Sequence, residues 1–321
     1  MTTTMGVKAP SRRDRGLGIH SIGEFVLAVP RLADAERFYR SFGLDVASEG
    51  GLLELRTEGD GYRWGRVVEG PRKAIHHIAF HCFAEDLDGF KRHIESEGVE
   101  LLAPPPGFAS NGLWFRDQDG MTVEIRPGVK TSPDRKTPAD YEPTEPGKRN
   151  APYRRRAQAT RPRRLSHILR FTTDVSRAVA FYGRVLGLRL SDRSGDLVAF
   201  MHGIHGSDHH LMAFAKSEAP GLHHLSWDVP SIDAVGLGAM TMADKGYRQG
   251  WGTGRHVLGS NYFHYIRDPW GSFCEYSCDI DFVPASMDWE GIDHPAEDSF
   301  YLWGPDVPPE FLLNTEAHPE R

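Results

Sequence analysis

The run Gly254-Arg255-His256, followed after a short gap by His264-Tyr265-Ile266-Arg267-Asp268-Pro269-Trp270-Gly271 and then Glu275, sets a carboxylate one hairpin away from an imidazole and a phenol. Imidazole and phenol can pass protons to and from a ligand without carrying permanent charge, and a histidine titrating near neutrality suits that work. Glu275 has further company. His167, His224 and Glu275 stand at equivalent points of strand-like segments in the second half of the chain. Two neutral imidazoles and one carboxylate suit a divalent first-row metal, and gathered on one face they leave coordination positions open. A structural site would be closed by further ligands, and no thiolate is at hand to close this one. A strand histidine alone is more often a hydrogen-bonded core residue. An unpartnered buried carboxylate is costly, however, so the three together favour a metal. His223, next to His224, is expected on the opposite face of its strand.

Two copies of one unit would position these groups. In the second half, 165–172 is strand-like, 176–186 has helical spacing, and Gly187 supplies a left-handed C-cap. The first half repeats this with a strand at 21–29, a helix at 33–42 and Gly43, and Phe38-Tyr39 answers Phe181-Tyr182. Further on, Ile75-His76-His77-Ile78-Ala79-Phe80 matches Leu222-His223-His224-Leu225-Ser226-Trp227. Arg116-Asp117-Gln118-Asp119-Gly120 matches Arg267-Asp268-Pro269-Trp270-Gly271, and Asp-x-x-Gly reads as a tight turn between two strands. Each half is therefore expected to be a mixed α+β module with curved sheets. The first half carries Glu24, His77 and Glu124 at the ligand positions, but Trp114 replaces Tyr265 and no histidine answers His256. It is expected to be structural.

The 256–275 run resembles the signature of the type I extradiol ring-cleaving dioxygenases, members of the vicinal oxygen chelate superfamily. One position departs, since His264 stands where an aliphatic residue or Phe is usual. The resemblance implies two tandem vicinal oxygen chelate modules of paired βαβββ units, the first non-catalytic. It implies Fe(II) held by His167, His224 and Glu275, with Mn(II) an alternative that the same ligands admit. It also implies that a small aromatic diol is opened by O2 next to its hydroxyls, giving a hydroxymuconic-semialdehyde-type product. Tyr265 and His256 would then hydrogen-bond the substrate oxygens. The family has a His-x-x-Ala-Phe-like strand whose histidine acts near dioxygen and donates a proton as the O–O bond breaks. His210-Leu211-Met212-Ala213-Phe214 fits that motif. Loop length would select His209 instead, and strand register favours His210. The stretch 260–273 is similar to trihydroxytoluene oxygenase-like members, so Asn261 and His264 are expected to contact a more hydroxylated ring. The alternatives are a glyoxalase-like metalloenzyme, which usually presents a second glutamate in place of the His256 and Tyr265 pair, and a resistance-type binding protein, which needs no such ligands.

Composition narrows the field. The chain has 321 residues, 39% apolar and 26% charged, enough for two modules with real cores. A net charge of −6 gives no general attraction to nucleic acid or anionic membrane, and no apolar run is long enough to span a bilayer. Three cysteines, Cys82, Cys274 and Cys278, make no disulfide framework and suit a reducing compartment, so a cytoplasmic protein is expected. A homo-oligomer is expected as well. Expected boundaries are a frayed tail at 1–18, modules at 19–128 and 164–280, a linker at 129–163 and an extension at 281–321. The stretch 127–164 has seven prolines and eleven Lys/Arg against four Asp/Glu, a linker composition. From 279 onward eleven acidic residues face only Arg321, yet six large aromatics suggest that this segment folds back over the second module or onto the basic linker.

Overall fold

Ala35, Phe38, Tyr39 and Phe42 recur at three- and four-residue spacing and form the buried face of helix α1 (Leu32–Phe42). That stripe needs a sheet to cover. In the computed structural model, which describes residues 9–317 apart from 60 and 142, the sheet has seven strands. They are β1 (Ser21–Val29), β2 (Asp45–Glu49), β3 (Leu52–Arg56), β4 (Arg63–Glu69), β5 (Ala74–Cys82), β6 (Leu113–Arg116) and β7 (Thr122–Pro127). Their order is β2-β3-β4-β1-β5-β7-β6, with β1 antiparallel to β5 at the centre, and helix α2 (Leu87–Ser96) follows β5.

The second module repeats the plan with β8 (Arg164–Thr172), α3 (Val175–Leu186), β9 (Arg189–Ser194), β10 (Val198–His202), β11 (Ser207–Asp208), β12 (Met212–Lys216), β13 (Gly221–Asp228), α4 (Ile232–Asp244), β14 (Gly250–Arg255), β15 (Tyr262–Arg267) and β16 (Phe273–Cys278). The Asp174 side chain caps α3 by accepting from the Arg177 N–H at 2.8 Å. Gly187 ends it at φ 74°, where a Cβ would lie 2.3 Å from the Leu17 carbonyl oxygen. The order is β14-β15-β16-β13-β8-β12-β10-β9, extended by β18 (Ile292–Asp293) from the C-terminal segment. β11 pairs separately with β17 (Phe282–Val283), and a short helix α5 (Ala296–Ser299) follows. Where the second module has β14, the described residues of the first have the bridge between Leu102 and Trp114. Both modules are thus mixed α+β with the expected repeat.

Residues 1–8 of the expected frayed tail lie outside the described residues. Beyond them the chain is held: Arg12 pairs with Glu85 and Asp86, Arg13 with Asp288, and Ser11 donates to Asp134. The linker is pinned at both ends. Thr131 and Ser132 donate to Ser21 Oγ, Thr160 donates to the Ala234 carbonyl and Arg163 pairs with Asp228, while 143–156 are exposed. The C-terminal segment lies on the second module. Trp289 Nε1 donates to the Ser191 carbonyl, Trp251 Nε1 to that of Pro305 and Arg255 N to that of Trp303. Its contact with the linker runs through Lys136 and Asp279.

One apolar core runs through both modules. Phe42 stacks on Tyr276 at 4.0 Å between ring centroids, and Tyr276 OH donates to the Phe42 carbonyl. Each Asp-x-x-Gly turn meets a cation from the other module. Arg170 Nη1 donates to Asp117 Oδ2 at 2.5 Å with Tyr182 OH alongside, and Lys73 reaches Ser272 beside Asp268. Arg170 and Asp117 are 2% and 6% exposed, so removing one partner strands a buried charge. Asp117→Ala should lose about 3 kcal/mol or more in denaturant unfolding. A loss within ~0.5 kcal/mol would show that the pair contributes nothing beyond a surface contact.

The buried histidines set an acid limit. Burial above all lowers His20 and His77 from 6.5 to about 3, and His81, His202 and His205 to about 4. In the unfolded chain each takes up a proton below 6.5, whereas the folded chain keeps it neutral, so the unfolded state binds more protons as pH falls. Stability should be complete above pH 6.5 and decline down to about pH 3. A denaturation midpoint that stays flat across that window would contradict this.

Candidate metal centre

The centre of the second sheet faces a cavity of about 210 Å³. β8 supplies His167, β13 supplies His224 and β16 supplies Glu275, three strands adjacent in the sheet. One donor atom from each lies within 4.8 Å of the others. His167 Nε2 and His224 Nε2 are 3.2 Å apart, and Glu275 Oε2 is 3.3 Å from the first and 3.7 Å from the second. All three residues are buried, and Glu275 Oε2 has no hydrogen-bond partner among the described residues. Lone pairs converging in a buried space without donors are costly, and a divalent cation resolves that cost. The donor set therefore fits a metal. Burial would raise the Glu275 carboxyl, but His167 and His256 close by bring it below its usual range.

The tautomer of His224 is fixed from the outer end. His223 Nε2 lies 2.8 Å from the Phe311 carbonyl, which only accepts, so that nitrogen carries the proton. His223 Nδ1 is then bare and accepts from His224 Nδ1 at 2.7 Å, leaving His224 Nε2 free to ligate. Burial holds His224 well below the ordinary histidine range, and His223 at about 4. His223 therefore does not turn to the opposite face, as alternation predicts. The register shifts between Leu222 and His224, and this bulge lets both rings line the cavity.

Tyr265 pairs with Glu275 across β15 and β16. His256 follows β14, and its Nε2 lies 2.9 Å from Tyr265 OH. His256 Nδ1 donates to the Phe300 carbonyl at 2.8 Å, so Nε2 is the acceptor and the phenol donates to it. Burial lowers His256, and burial with the nearby Glu275 carboxylate raises Tyr265 well above its ordinary value.

His210 lines the cavity, its ring centroid 4.0 Å from that of His167, and burial lowers it well below the usual range. His209 does not line the cavity and turns to Asp192. Strand register is not the reason, because both residues sit in an irregular bend between β11 and β12. Asn261 faces the cavity but acts on the carboxylate: its Nδ2 donates to Glu275 Oε1 at 3.1 Å and to Ser277 Oγ at 2.9 Å. His264 is not brought to the site. Alternation along β15 turns it away from Tyr265, and its Nδ1 meets Thr253 Oγ1 at 3.2 Å. The expected polar contact with a more hydroxylated ring loses that residue.

A sequence model of the glyoxalase/bleomycin resistance protein/dioxygenase superfamily matches residues 21–125 and 164–276, one span in each module. The chain belongs to this superfamily. It is 51% identical over 310 residues, 97% of this chain and 96% of the relative, to metapyrocatechase 2 of Cupriavidus necator. Among solved structures, the Mn(II)-bound glyoxalase from Novosphingobium aromaticivorans aligns with a TM-score of 0.72 at 24% identity, covering 94% of this chain and 99% of that one. A variant of homoprotocatechuate 2,3-dioxygenase from B. fuscum aligns with a TM-score of 0.74 at 20% identity, covering 94% and 82%. At these identities the two structures speak for the fold.

Within this superfamily member only the second module gathers a ligand set among the described residues. In the first, Glu24 is neutralised by Arg63 at 2.9 Å, Arg66 at 2.6 Å and Arg126 at 3.1 Å. Arg126 also reaches Glu124 at 3.0 Å, and Ser110 donates to the other carboxylate oxygen. His77 turns its Nδ1 to His76 at 2.8 Å. Guanidinium groups do there what a cation would do in the second module. Sequence reasoning missed His223, Phe300 and Phe311. The doubled histidines and the aromatic tail were the available signals.

Replacing Glu275 by Gln keeps the shape and removes the charge, so Mn(II) binding read by electron paramagnetic resonance should weaken roughly 100-fold or more, and Asn261→Ala should weaken it roughly tenfold. Unchanged binding in Glu275→Gln would remove this cluster as the metal centre.

Proposed function

We infer that the chain is an extradiol dioxygenase: it opens a catechol-type diol with O2 at a mononuclear Fe(II) held by His167, His224 and Glu275, with Mn(II) as an alternative ion. The observation that carries this is the convergence of those three donors beside the His256 and Tyr265 pair. The near full-length identity to metapyrocatechase 2 supports it. A homo-oligomer in solution belongs to the same proposal.

When bound, Fe(II) supplies a template for catecholate and dioxygen and a route for electrons between them. The chain does the rest. His256 Nε2, kept bare by the Phe300 carbonyl, can take a hydroxyl proton through Tyr265 as the diol binds. His210, on the His167 side of the cavity, accepts a proton from a bound hydroxyl at its cavity-facing ring nitrogen and gives it back to the product. Leu169, Phe171, Val198, Phe200, Leu258 and Phe311 exclude water around the ring.

This lining is mostly apolar, and with His264 turned away it favours an alkyl- or aryl-substituted catechol. Purified protein loaded anaerobically with Fe(II), then given catechols and air, should form a yellow product. kcat/KM for a substituted catechol should exceed that for benzene-1,2,4-triol by roughly tenfold, the worth of about one buried methylene or one stranded hydroxyl. No colour with any catechol would overturn the assignment, and preference for the triol would overturn the apolar reading.

A further inference from the structure

Behind His210 runs a line of hydrogen-bonded groups that the reaction above leaves unused. His210 Nδ1 lies 3.0 Å from His209 Nδ1, and His209 Nε2 lies 2.8 Å from Asp192 Oδ2. Asp192 Oδ1 in turn receives His294 Nε2 at 3.0 Å and the Ile292 N–H at 3.0 Å. His209, His210 and Asp192 are buried, so water does not compete for these contacts. The line crosses the fold. Asp192 is on β9, His209 and His210 are in the bend before β12, and Ile292 belongs to β18 of the C-terminal segment.

We propose that Asp192, acting through His209, is a positioning residue that fixes His210 with its proton on Nδ1 and its bare Nε2 toward the cavity. The chemical use made of that nitrogen rests on the dioxygenase reading, whereas the tautomer does not.

The assignment follows from donor and acceptor counting. A carboxylate only accepts, so His209 Nε2 carries a proton and donates it to Asp192 Oδ2. With that as its one ring proton, His209 has a bare Nδ1. Two bare nitrogens 3.0 Å apart would repel, so His210 Nδ1 carries the proton that joins them. His210 Nε2 is left without one. Asp192 is suited to remain a carboxylate. Burial would raise it, but the hydrogen bonds from His209, His294 and the Ile292 amide bring it below its usual range. The backbone adds to the rigidity, with His209 N donating to the Asp281 carbonyl at 2.7 Å and Ser191 Oγ donating to the His209 carbonyl.

The consequence is directional. His210 meets the ligands of the site as an acceptor, so it can take a proton from a ligand hydroxyl. The O–H bond breaks, the Nε2–H bond forms, and the resulting positive charge is hydrogen-bonded through His209 to the Asp192 carboxylate. It is a two-histidine version of the orienting carboxylate in acid–base triads.

Asp192→Asn makes the proposal testable. Oδ1 must stay an oxygen to accept from the Ile292 N–H, so the new amide group faces His209 and donates to its Nε2. That reverses both rings: His209 becomes Nδ1–H and His210 becomes Nε2–H. Long-range 1H–15N spectra of the metal-free protein, assigned with His209→Gln and His210→Gln, should show His210 as the Nδ1–H tautomer in the wild type and as Nε2–H in Asp192→Asn. In the Fe(II)-loaded enzyme kcat should fall roughly 100-fold or more, the scale of a wrong tautomer, with metal content and KM little moved. A purely structural role would move metal content or KM instead. The proposal is overturned if wild-type His210 carries its proton on Nε2, if Asp192→Asn leaves both tautomers as they were, or if kcat is unchanged in the reversed variant. A wild type that cleaves no catechol sinks the dioxygenase reading alone, because the spectra still decide the tautomer.

Discussion

Three lone pairs pointed at one another inside a protein are the constraint on which the rest of this structure depends. His167 Nε2, His224 Nε2 and Glu275 Oε2 converge within 4.8 Å of one another in a buried space, and Glu275 Oε2 has no hydrogen-bond partner among the described residues. Such an arrangement survives only if the scaffold holds it rigidly and a cation compensates it. The scaffold does so by taking one ligand from each of three neighbouring strands, whose ladder fixes the spacing of their side chains. Asn261 donates to the other carboxylate oxygen and so restrains the rotation of Glu275.

Proton placement is settled at a distance from the centre. Fixed acceptors, the carbonyls of Phe311 and Phe300 and the carboxylate of Asp192, each bind an imidazole N–H and thereby decide what the far side of a ring pair can do. Two of them belong to the C-terminal segment. That segment is therefore part of the site's chemistry as well as its cover, and its Phe300, Tyr301 and Phe311 rings pack with Trp251, Phe263, Tyr265 and Phe273.

Much of this was legible in the sequence. The internal repeat gave both modules, the glycine caps and the three ligand positions, because strand and helix periods and a doubled histidine survive in the residues themselves. What was hidden depends on local irregularity or on distant chain. The bulge at His223 breaks the alternation that would have turned it away. His264 obeys alternation and so leaves the cavity, although its neighbours suggest otherwise. His210 reaches the cavity through a bend rather than along a strand, so the register argument names it for the wrong reason. No pattern in the chain foretells that Phe300 and Phe311 present their carbonyls to histidines.

The two modules solve one electrostatic problem by different means. The first balances Glu24 and Glu124 with Arg63, Arg66 and Arg126, counter-charges that are covalently part of the chain. The second leaves its balance to something that can come and go. A chelator or an iron-poor medium would thus strip one half of its counter-charge while the other half stays intact.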